Sequence, residues 1–209
     1  MTNSNFFIGL ISGTSIDGID AVLVQFENDQ PKLIATHCGE IDANLRNRIL
    51  NLCSSTNLDF KSLGETDVIF GRAFAQAVKD LLTSSGVDAQ AITAIGSHGQ
   101  TIFHQPTGEQ PFTLQIGDAN TIAELTDITT VADFRRRDMV VGGEGAPLAP
   151  VMHRNCFSSA EENRVILNIG GISNITVLNQ DGSAFAFDTG PGNVLMDYWI
   201  DKHMQQPYD

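Results

Sequence analysis

Residues 12–20 read Ser-Gly-Thr-Ser-Ile-Asp-Gly-Ile-Asp and bring glycine, hydroxyl and carboxylate groups into one short segment. A tight turn of such residues can aim several backbone N–H groups at a phosphate, and a hydroxyl adds another donor, so no lysine is needed. Asp17 and Asp20 are close enough in sequence to orient a Mg²⁺ ion or its waters. No Gly-x-x-x-x-Gly-Lys-Ser/Thr sequence occurs, which excludes the P-loop solution. An ordinary hairpin turn is the alternative interpretation.

A second segment, residues 188–193, reads Asp-Thr-Gly-Pro-Gly-Asn and is predicted to follow a strand and precede a helix. A glycine-rich bend before a helix is typical of an anion site, so Gly190 and Gly192 are predicted to approach phosphate. Asp188 is the only acidic residue in this segment, and a carboxylate at a strand end suits a general base. The alternative is that Asp188 only caps the helix. We expect the two segments to grip one polyphosphate from opposite sides of a cleft.

Three further polar residues are candidates for contact with a small-molecule substrate. His98 and Gln100 follow a predicted buried strand at 92–97, where an imidazole and an amide can bind polar groups of a ligand. Packing without ligand contact is the alternative for both. Residues 135–137 are consecutive arginines in an acidic chain, and an arginine such as Arg136 can pair with a carboxylate in a bidentate manner. A solvated surface stretch is the alternative for this run.

The elements that would position these residues follow an α/β pattern whose opening is repeated. The first copy has predicted strands at 6–12, 20–26 and 32–38, helices at 44–52 and 67–82, strands at 92–97 and 112–116, a helix at 118–125 with Asp118 as N-cap, and a strand at 128–132. The second copy has predicted strands at 165–169, 174–178 and 184–187 and a helix at 193–203. The repeat predicts one domain at residues 1–163 and the beginning of a second, incomplete domain at residues 164–209.

The composition favours a soluble protein with small-molecule partners. The 209 residues include 25 acidic and 12 basic side chains, a formal net charge of −13, which disfavours nucleic acid and anionic membranes as partners. The three cysteines form no Cys-x-x-Cys pair, and no apolar stretch is long enough for a signal peptide or a membrane span. We therefore expect a cytoplasmic protein.

An ordered series of motifs runs along the chain. The motifs are Gly-Leu-Ile-Ser-Gly-Thr-Ser-Ile-Asp-Gly-Ile-Asp at 9–20, Ser-His-Gly-Gln-Thr at 97–101, Asp-Phe-Arg-Arg-Arg-Asp at 133–138, Gly-Gly-Glu-Gly-Ala-Pro-Leu at 142–148 and Asn-Ile-Gly-Gly-Ile-Ser-Asn at 168–174, followed by the segment at 188–193. The series resembles the signature of the anhydro-N-acetylmuramic acid kinase family, which belongs to the actin, hexokinase and acetate kinase superfamily.

The resemblance implies a fold and an activity. The implied fold is α/β, with a ribonuclease-H-like domain of the actin-like ATPase type that contains a mixed sheet, followed by the start of a second, duplicated domain. The implied enzyme is a kinase that uses ATP and Mg²⁺. It opens the anhydro ring of 1,6-anhydro-N-acetylmuramic acid and phosphorylates the sugar to N-acetylmuramic acid 6-phosphate during cell-wall recycling.

The resemblance also implies a role for each candidate residue. The phosphates of ATP would be bound by Gly13, Thr14, Ser15, Ile16, Asp17, Gly18, Ile19 and Asp20, together with Gly190 and Gly192. Asp17 and Asp20 would be the metal ligands. Asp188 would be the catalytic base that activates water. The substrate would be contacted by His98, Gln100, Arg136 and Asn174, with Arg136 pairing with the lactyl carboxylate.

Members of this family continue well past position 209, so we expect the chain to be an inactive piece of a longer protein, for which a homodimer is a further possibility. Two other functions stay open at this point. One is a non-catalytic, nucleotide-dependent switch, because the same superfamily architecture hosts both functions. The other is a glycosidase with Asp188 and Glu144 as paired carboxylates, which leaves residues 12–20 unexplained.

Overall fold

The computed structural model describes residues 5–28 and 30–206. Within these ranges the chain forms two compact units, one ending at Gly145 and the other beginning at Ala146. The division falls earlier than the expected boundary after residue 163, because a helix that precedes that boundary packs on two strands of the second unit. The two-domain organisation of a longer protein stays a prediction.

The first unit alternates strands and helices. In chain order it contains β1 (Phe6–Ile11), β2 (Ile19–Glu27), β3 (Gln30–Gly39), α1 (Ala43–Ser54), α2 (Phe60–Ser85), a 3₁₀ turn (Ala89–Ala91), β4 (Ile92–Ser97), β5 (Gln100–Gln105), β6 (Phe112–Ile116), α3 (Ala119–Thr126), β7 (Thr130–Val131) and α4 (Phe134–Val140). The second unit contains α5 (Ala149–Phe157), β8 (Arg164–Ile169), β9 (Ile172–Leu178), β10 (Ala184–Pro191) and α6 (Val194–Met204).

A mixed five-stranded sheet forms the centre of the first unit, with the strand order β3-β2-β1-β4-β7. β1 pairs with β2 antiparallel and with β4 parallel, and β4 pairs with β7 parallel. The α/β class with a mixed sheet, as expected of a ribonuclease-H-like domain, is confirmed. Because β1 and β4 are neighbouring parallel strands, their carboxyl ends lie side by side, with Leu10 opposite Ser97. This edge positions the first candidate site.

The long helix α2 supplies much of the core of this unit. Its apolar residues recur at helical spacing, and Phe70, Phe74, Val78 and Leu81 are fully buried where the helix packs on β2, β3 and α3. Burying each of these side chains contributes about 1.5–3 kcal/mol relative to leaving it exposed. The helix begins at Phe60 rather than near residue 67, because the Asp59 carboxylate caps the earlier start by accepting from backbone N–H groups.

The second unit repeats the antiparallel meander that opens the first, with the strand order β10-β9-β8. One face of this sheet is covered by α5, whose His153 Nδ1 lies 2.9 Å from the Thr176 Oγ1 of β9. The opposite face is apolar and largely exposed. Its exposed members are Val165, Leu167, Ile169, Phe185 and Phe187.

Most predicted strands are confirmed, but three segments differ from the expectation. The arginine run lies on the helix α4 and Gln100 begins the strand β5, and neither element was predicted. Residues 188–191 belong to β10 and so lie in a strand rather than in a bend. Asp118 caps α3 as predicted, by accepting from the N–H groups of Asn120 and Thr121. Within the described part of the chain, every helix is too short or too polar to cross a membrane.

Candidate functional site

Residues 12–18, between β1 and β2, and the start of β2 are held in place by apolar side chains in the core, while most of their polar side chains face solvent. Ile16 and Ile19 are buried in the core, whereas Thr14, Asp17 and Asp20 are exposed. Ile16 and Ile19 were expected to bind the cofactor; because their side chains are buried, such a contact would have to come from their backbone atoms, and it stays a prediction. Gly18 is needed for close packing, since a Cβ there would come within 2.8 Å of the Cys38 Sγ.

The backbone of this segment supports its interpretation as a phosphate site. The Ile16 N–H donates to the Gly13 carbonyl and closes a turn. Among the described residues, no acceptor is found for the backbone N–H groups of Gly13, Thr14 and Ser15. The left-handed residue of the turn is Ile16, with φ of 52°. Neighbouring amides without protein partners are the donor set that an anionic phosphate requires.

The two expected magnesium ligands lie on the exposed side of the segment. Asp20 pairs with Cys38 across β2 and β3, and Asp17 is close enough to act on the same thiol. Partial burial and then the Asp20 carboxylate raise the pKa of the Cys38 thiol. In the described ranges, no three His, Cys, Asp or Glu side chains are grouped to hold a metal ion by themselves. Mg²⁺ is usually bound by one or two carboxylates with substrate phosphates, so this pair fits a metal that arrives with a nucleotide.

Arg46 of α1 contacts the same segment from outside. Its Nε donates to the Ile16 carbonyl at 3.2 Å, and its Nη2 lies 3.5 Å from the Ser15 carbonyl. The contact places a guanidinium beside a segment that itself contains no basic residue. Sequence reasoning missed Arg46, because it lies outside every motif.

The segment is joined to the residues that follow β4. The Ser12 N–H donates to the Gly99 carbonyl at 3.3 Å, and the His98 N–H donates to the Leu10 carbonyl at 2.8 Å. The hydroxyls of Ser12 and Ser97 are buried, and neither finds a hydrogen-bond partner within the described ranges. The motifs at 9–20 and 97–101 therefore meet at one edge of the sheet, as neighbouring parallel strands require.

His98 is held on both sides by the protein. The Arg135 Nε donates to His98 Nε2 at 2.7 Å, and His98 Nδ1 lies 2.9 Å from the Gly99 carbonyl. Because a guanidinium only donates, Nε2 must accept, and Nδ1 therefore carries the proton and donates to Gly99. Burial lowers the pKa of His98, the bond to Gly99 opposes that shift, and the nearby Arg135 charge adds to it. A neutral imidazole orients Arg135, and the predicted sugar contact of His98 would require one of these bonds to break.

The other two predicted substrate contacts of the first unit have different environments. Arg136 is exposed, pairs with Asp133 at 3.5 Å and borders a shallow pocket formed by α4 and the start of β6. Its predicted pairing with a substrate carboxylate stays a prediction, and Arg135 is the arginine of the run that reaches the 97–101 motif. Gln100 is 2% exposed and donates to the Thr101 carbonyl, while its Oε1 is buried and finds no donor within the described ranges.

In the second unit, the strand register places Asp188 in a row of polar side chains. Asp188 of β10 lies opposite Asn174 of β9, which in turn lies opposite Asn168 of β8. Directly paired residues of neighbouring strands point to the same face, so the carboxylate has the Asn174 amide beside it and the Asn168 amide one strand further along the same row. A bulge follows Asp188, and such irregularities redirect side chains. The alternative that Asp188 caps α6 is wrong, because Asn193 occupies the N-cap position.

The glycines after Asp188 are used in a way that the sequence did not indicate. The N–H groups of Gly192 and Asn193 donate to the carbonyls of Gly171 and Gly170, each at 2.9 Å. A Cβ at Gly192 would overlap the Gly170 carbonyl oxygen, so only glycine permits this close approach. The Gly192 amide therefore already has a protein partner, and the approach of this glycine to phosphate stays a prediction. The phosphate contact of Gly190, which lies in β10, stays a prediction.

Several solved structures overlap with the chain at low similarity. An exopolyphosphatase-like protein aligns with a TM-score of 0.44 and 11% identity over 98% of this chain and 56% of its own. Component A of (R)-2-hydroxyglutaryl-CoA dehydratase from Acidaminococcus fermentans aligns with a TM-score of 0.42 and 7% identity over 97% of this chain and 55% of its own. At these values the overlaps carry no argument about fold or function.

Curated relatives match far more closely, and those named here are called anhydro-N-acetylmuramic acid kinase. The protein of Vibrio vulnificus strain YJ016 is 52% identical over all 209 residues, which correspond to 56% of its own length. The protein of Coxiella burnetii strain Dugway 5J108-111 is 55% identical over 205 residues, or 97% of this chain and 55% of its own. The chain thus spans about half the length of the curated relatives that it matches.

A sequence model of the anhydro-N-acetylmuramic acid kinase family matches residues 5–209. The match includes the segment at 12–20 with its unpartnered amides, the His98 motif and the strand that carries Asp188. The chain belongs to the anhydro-N-acetylmuramic acid kinase family.

Proposed function

We propose that the family-length protein, in which this chain is accompanied by the remaining residues that its relatives carry, is an ATP-dependent sugar kinase. It opens the anhydro ring of 1,6-anhydro-N-acetylmuramic acid and phosphorylates the 6-oxygen, giving N-acetylmuramic acid 6-phosphate for cell-wall recycling. The observation that carries this proposal is the family match over residues 5–209, with relatives above 50% identity across the chain. A reaction that uses ATP is consistent with the cytoplasmic location expected from the sequence.

The proposed reaction combines hydrolysis and phosphoryl transfer. Asp188 accepts a proton from a water molecule whose oxygen forms a bond to the anomeric carbon, and the bond between that carbon and the 6-oxygen breaks. The freed 6-oxygen then bonds to the γ-phosphorus of ATP while the bond to ADP breaks. The register supports this role, since Asn174 lies beside Asp188 and Asn168 follows in the same row, where their amides can orient a polar ligand. Asn174 has a buried Oδ1 that finds no donor within the described ranges, which suits a substrate contact.

The segment at 12–20 would bind the phosphates. The unpartnered N–H groups of Gly13, Thr14 and Ser15 supply donors for phosphate oxygens, and Asp17 and Asp20 would hold Mg²⁺ together with those oxygens. Bound Mg²⁺ would neutralise part of the charge on the phosphates. Phosphoryl transfer depends mainly on positioning and charge, and backbone amides with two carboxylates for Mg²⁺ are groups suited to that task.

Replacing Asp188 by Asn tests the assignment of the base. The amide keeps the size of the side chain but cannot accept the proton, so the Asp188→Asn variant of the family-length protein should lose turnover by at least about 100-fold. Its affinity for MgADP, measured by calorimetry, should be unchanged because Asp188 is not part of the phosphate-binding segment. Turnover within about tenfold of wild type would show that Asp188 is not the base.

A coupled assay separates the proposed kinase from the other two functions. With the family-length protein, ADP release should require the anhydro-sugar, and sugar 6-phosphate should form in equal amount. Consumption of the sugar without ATP would instead indicate a glycosidase. Nucleotide-dependent binding of another protein without sugar consumption would indicate a switch.

A further inference from the structure

We propose that Arg46 is a positioning residue for the phosphate-binding segment and holds residues 13–17 in the conformation that receives ATP. This inference rests on the proposed function, because it concerns how the same site is maintained. Arg46 lies on α1, outside the motifs by which the family is recognised, and it reaches the segment through two backbone carbonyls.

The two contacts determine the direction of a peptide N–H group. The carbonyls of Ser15 and Ile16 are both turned toward the Arg46 guanidinium. Because C=O and N–H point in opposite directions in a trans peptide, the Asp17 N–H is turned away from α1. The preceding N–H, that of Ile16, is already used by the Gly13 carbonyl. Arg46 thus fixes the peptide groups at the centre of the turn.

The conformation that Arg46 holds is an unfavourable one. Ile16 is β-branched and has φ of 52°, a region that such residues rarely adopt. Strained residues of this kind persist only where the surroundings hold them. Two contacts hold Ile16 in this conformation. Its side chain is buried in the core, with 2% of its surface exposed, and its carbonyl accepts a hydrogen bond from Arg46. Loss of Arg46 would leave the peptide free to rotate while the side chain remained anchored.

Arg46 also supplies positive charge next to residues 12–20, which contain no basic side chain. The formal net charge is −13, and residues 12–20 contain two aspartates and no basic residue. A guanidinium at 3.2–3.5 Å from the carbonyls of the turn makes the local potential more positive, which favours an anionic ligand. Arg46 therefore both shapes the turn and offsets part of the negative charge of Asp17 and Asp20.

Three variants of the family-length protein test this role. Arg46→Ala should raise the KM for ATP roughly tenfold, because a hydrogen bond from a charged group is lost, and should leave the KM for the anhydro-sugar unchanged. Arg46→Lys keeps the positive charge but not the planar guanidinium that donates to two carbonyls, so its KM for ATP should lie between those of wild type and Arg46→Ala. The matched control is Arg48→Ala on the same helix, since Arg48 contacts Thr66 and Glu65 of α2 and not the segment. It should leave the KM for ATP unchanged.

Two results would overturn the role of Arg46. One is an equal KM for ATP in Arg46→Ala and Arg48→Ala, and the other is a similar increase of KM for both substrates in Arg46→Ala. A wild-type protein that binds MgADP without phosphorylating the sugar would overturn the proposed function instead. The role of Arg46 would then be decided by the calorimetric affinity of the same variants for MgADP, which should fall roughly tenfold in Arg46→Ala only.

Discussion

The hydrogen bond from Arg135 to His98 determines the state of the imidazole as well as its position. A proton on Nε2 would face the Arg135 N–H, so the neutral form with the proton on Nδ1 is the one that fits both neighbours. The charged form would in addition be buried beside a guanidinium, which explains the direction of the pKa shift. At this residue, hydrogen bonding and electrostatics favour the same protonation state.

Acid should therefore weaken the fold through His98. Its pKa is lowered in the folded state, so between that value and the unfolded value of about 6.5 the unfolded chain binds more protons. The free energy of unfolding should decrease as the pH falls from about 6.5 toward the folded pKa. His98→Gln cannot titrate and should lack this component. The measurement is the difference in unfolding free energy between the two proteins from about pH 8 to pH 5, with values above about pH 7 as the internal control. A difference that stays constant over the whole range would contradict the prediction.

The sequence indicated some residues of the first candidate site and gave no sign of the others. The segment at 12–20 and His98 were identified because glycine, hydroxyl and acidic residues next to strand ends have a local chemical meaning. Arg46 and Arg135 were missed as partners because their contacts span 30 and 37 residues, and no local pattern encodes such pairs. Ile16 was assigned to the cofactor only by its place in the motif, which did not indicate that its side chain lies in the core.

At the level of elements, the turn between β10 and α6 depends on a close approach to the turn between β8 and β9. The N–H groups of Gly192 and Asn193 cross to the carbonyls of Gly171 and Gly170. The two turns pack so tightly that the Gly170 oxygen occupies the space of a Cβ on Gly192. This contact fixes the path of the chain from the Asp188 strand into the helix that follows.

Gly192→Ala should consequently destabilise the family-length protein. The added methyl group must displace backbone, and overpacking of this kind costs about 1–3 kcal/mol. Gly170→Ala is the matched control, because a Cβ at that position would meet its nearest atom at an ordinary 3.6 Å. The measurement is the free energy of unfolding in urea for both variants and wild type. If Gly192→Ala were as stable as Gly170→Ala, the close approach would not be a feature of the protein.

The predicted elements were correct where hydrophobic periodicity is strong and wrong where local composition misleads. β4 and β6 match their predicted ranges, since each is a short strand rich in β-branched residues. β10 was predicted to end before Asp188 because Gly190 and Pro191 resemble strand breakers, but β10 is an edge strand, where proline is tolerated. The helix α4 was missed because it has only seven residues and none of them is buried, so no apolar periodicity marks it in the sequence.

At the level of the whole molecule, the two units differ in how much of a core they contain. The buried hydrophobic cluster lies entirely in the first unit, on β1, β2, β4, the helices α1 and α2, and the elements around them. In the described part of the second unit, Leu178 is the only hydrophobic residue classed as buried, and the apolar face of β8 and β10 is about half exposed. A unit that buries so little apolar surface has little to offset the entropy of ordering its chain.

The second unit should therefore depend on the residues that the longer relatives carry and this chain does not. In the 209-residue chain alone, we expect backbone amides of β1, β2 and β4 to be protected from hydrogen exchange and those of β8, β9 and β10 to exchange many times faster. In the family-length protein the strands of the second unit should become protected, because the added chain covers residues such as Phe185 and Phe187. Hydrogen exchange followed by mass spectrometry measures both units in one sample, so the first unit is the internal control. Equal protection of the second unit in both proteins would show that its small core is sufficient.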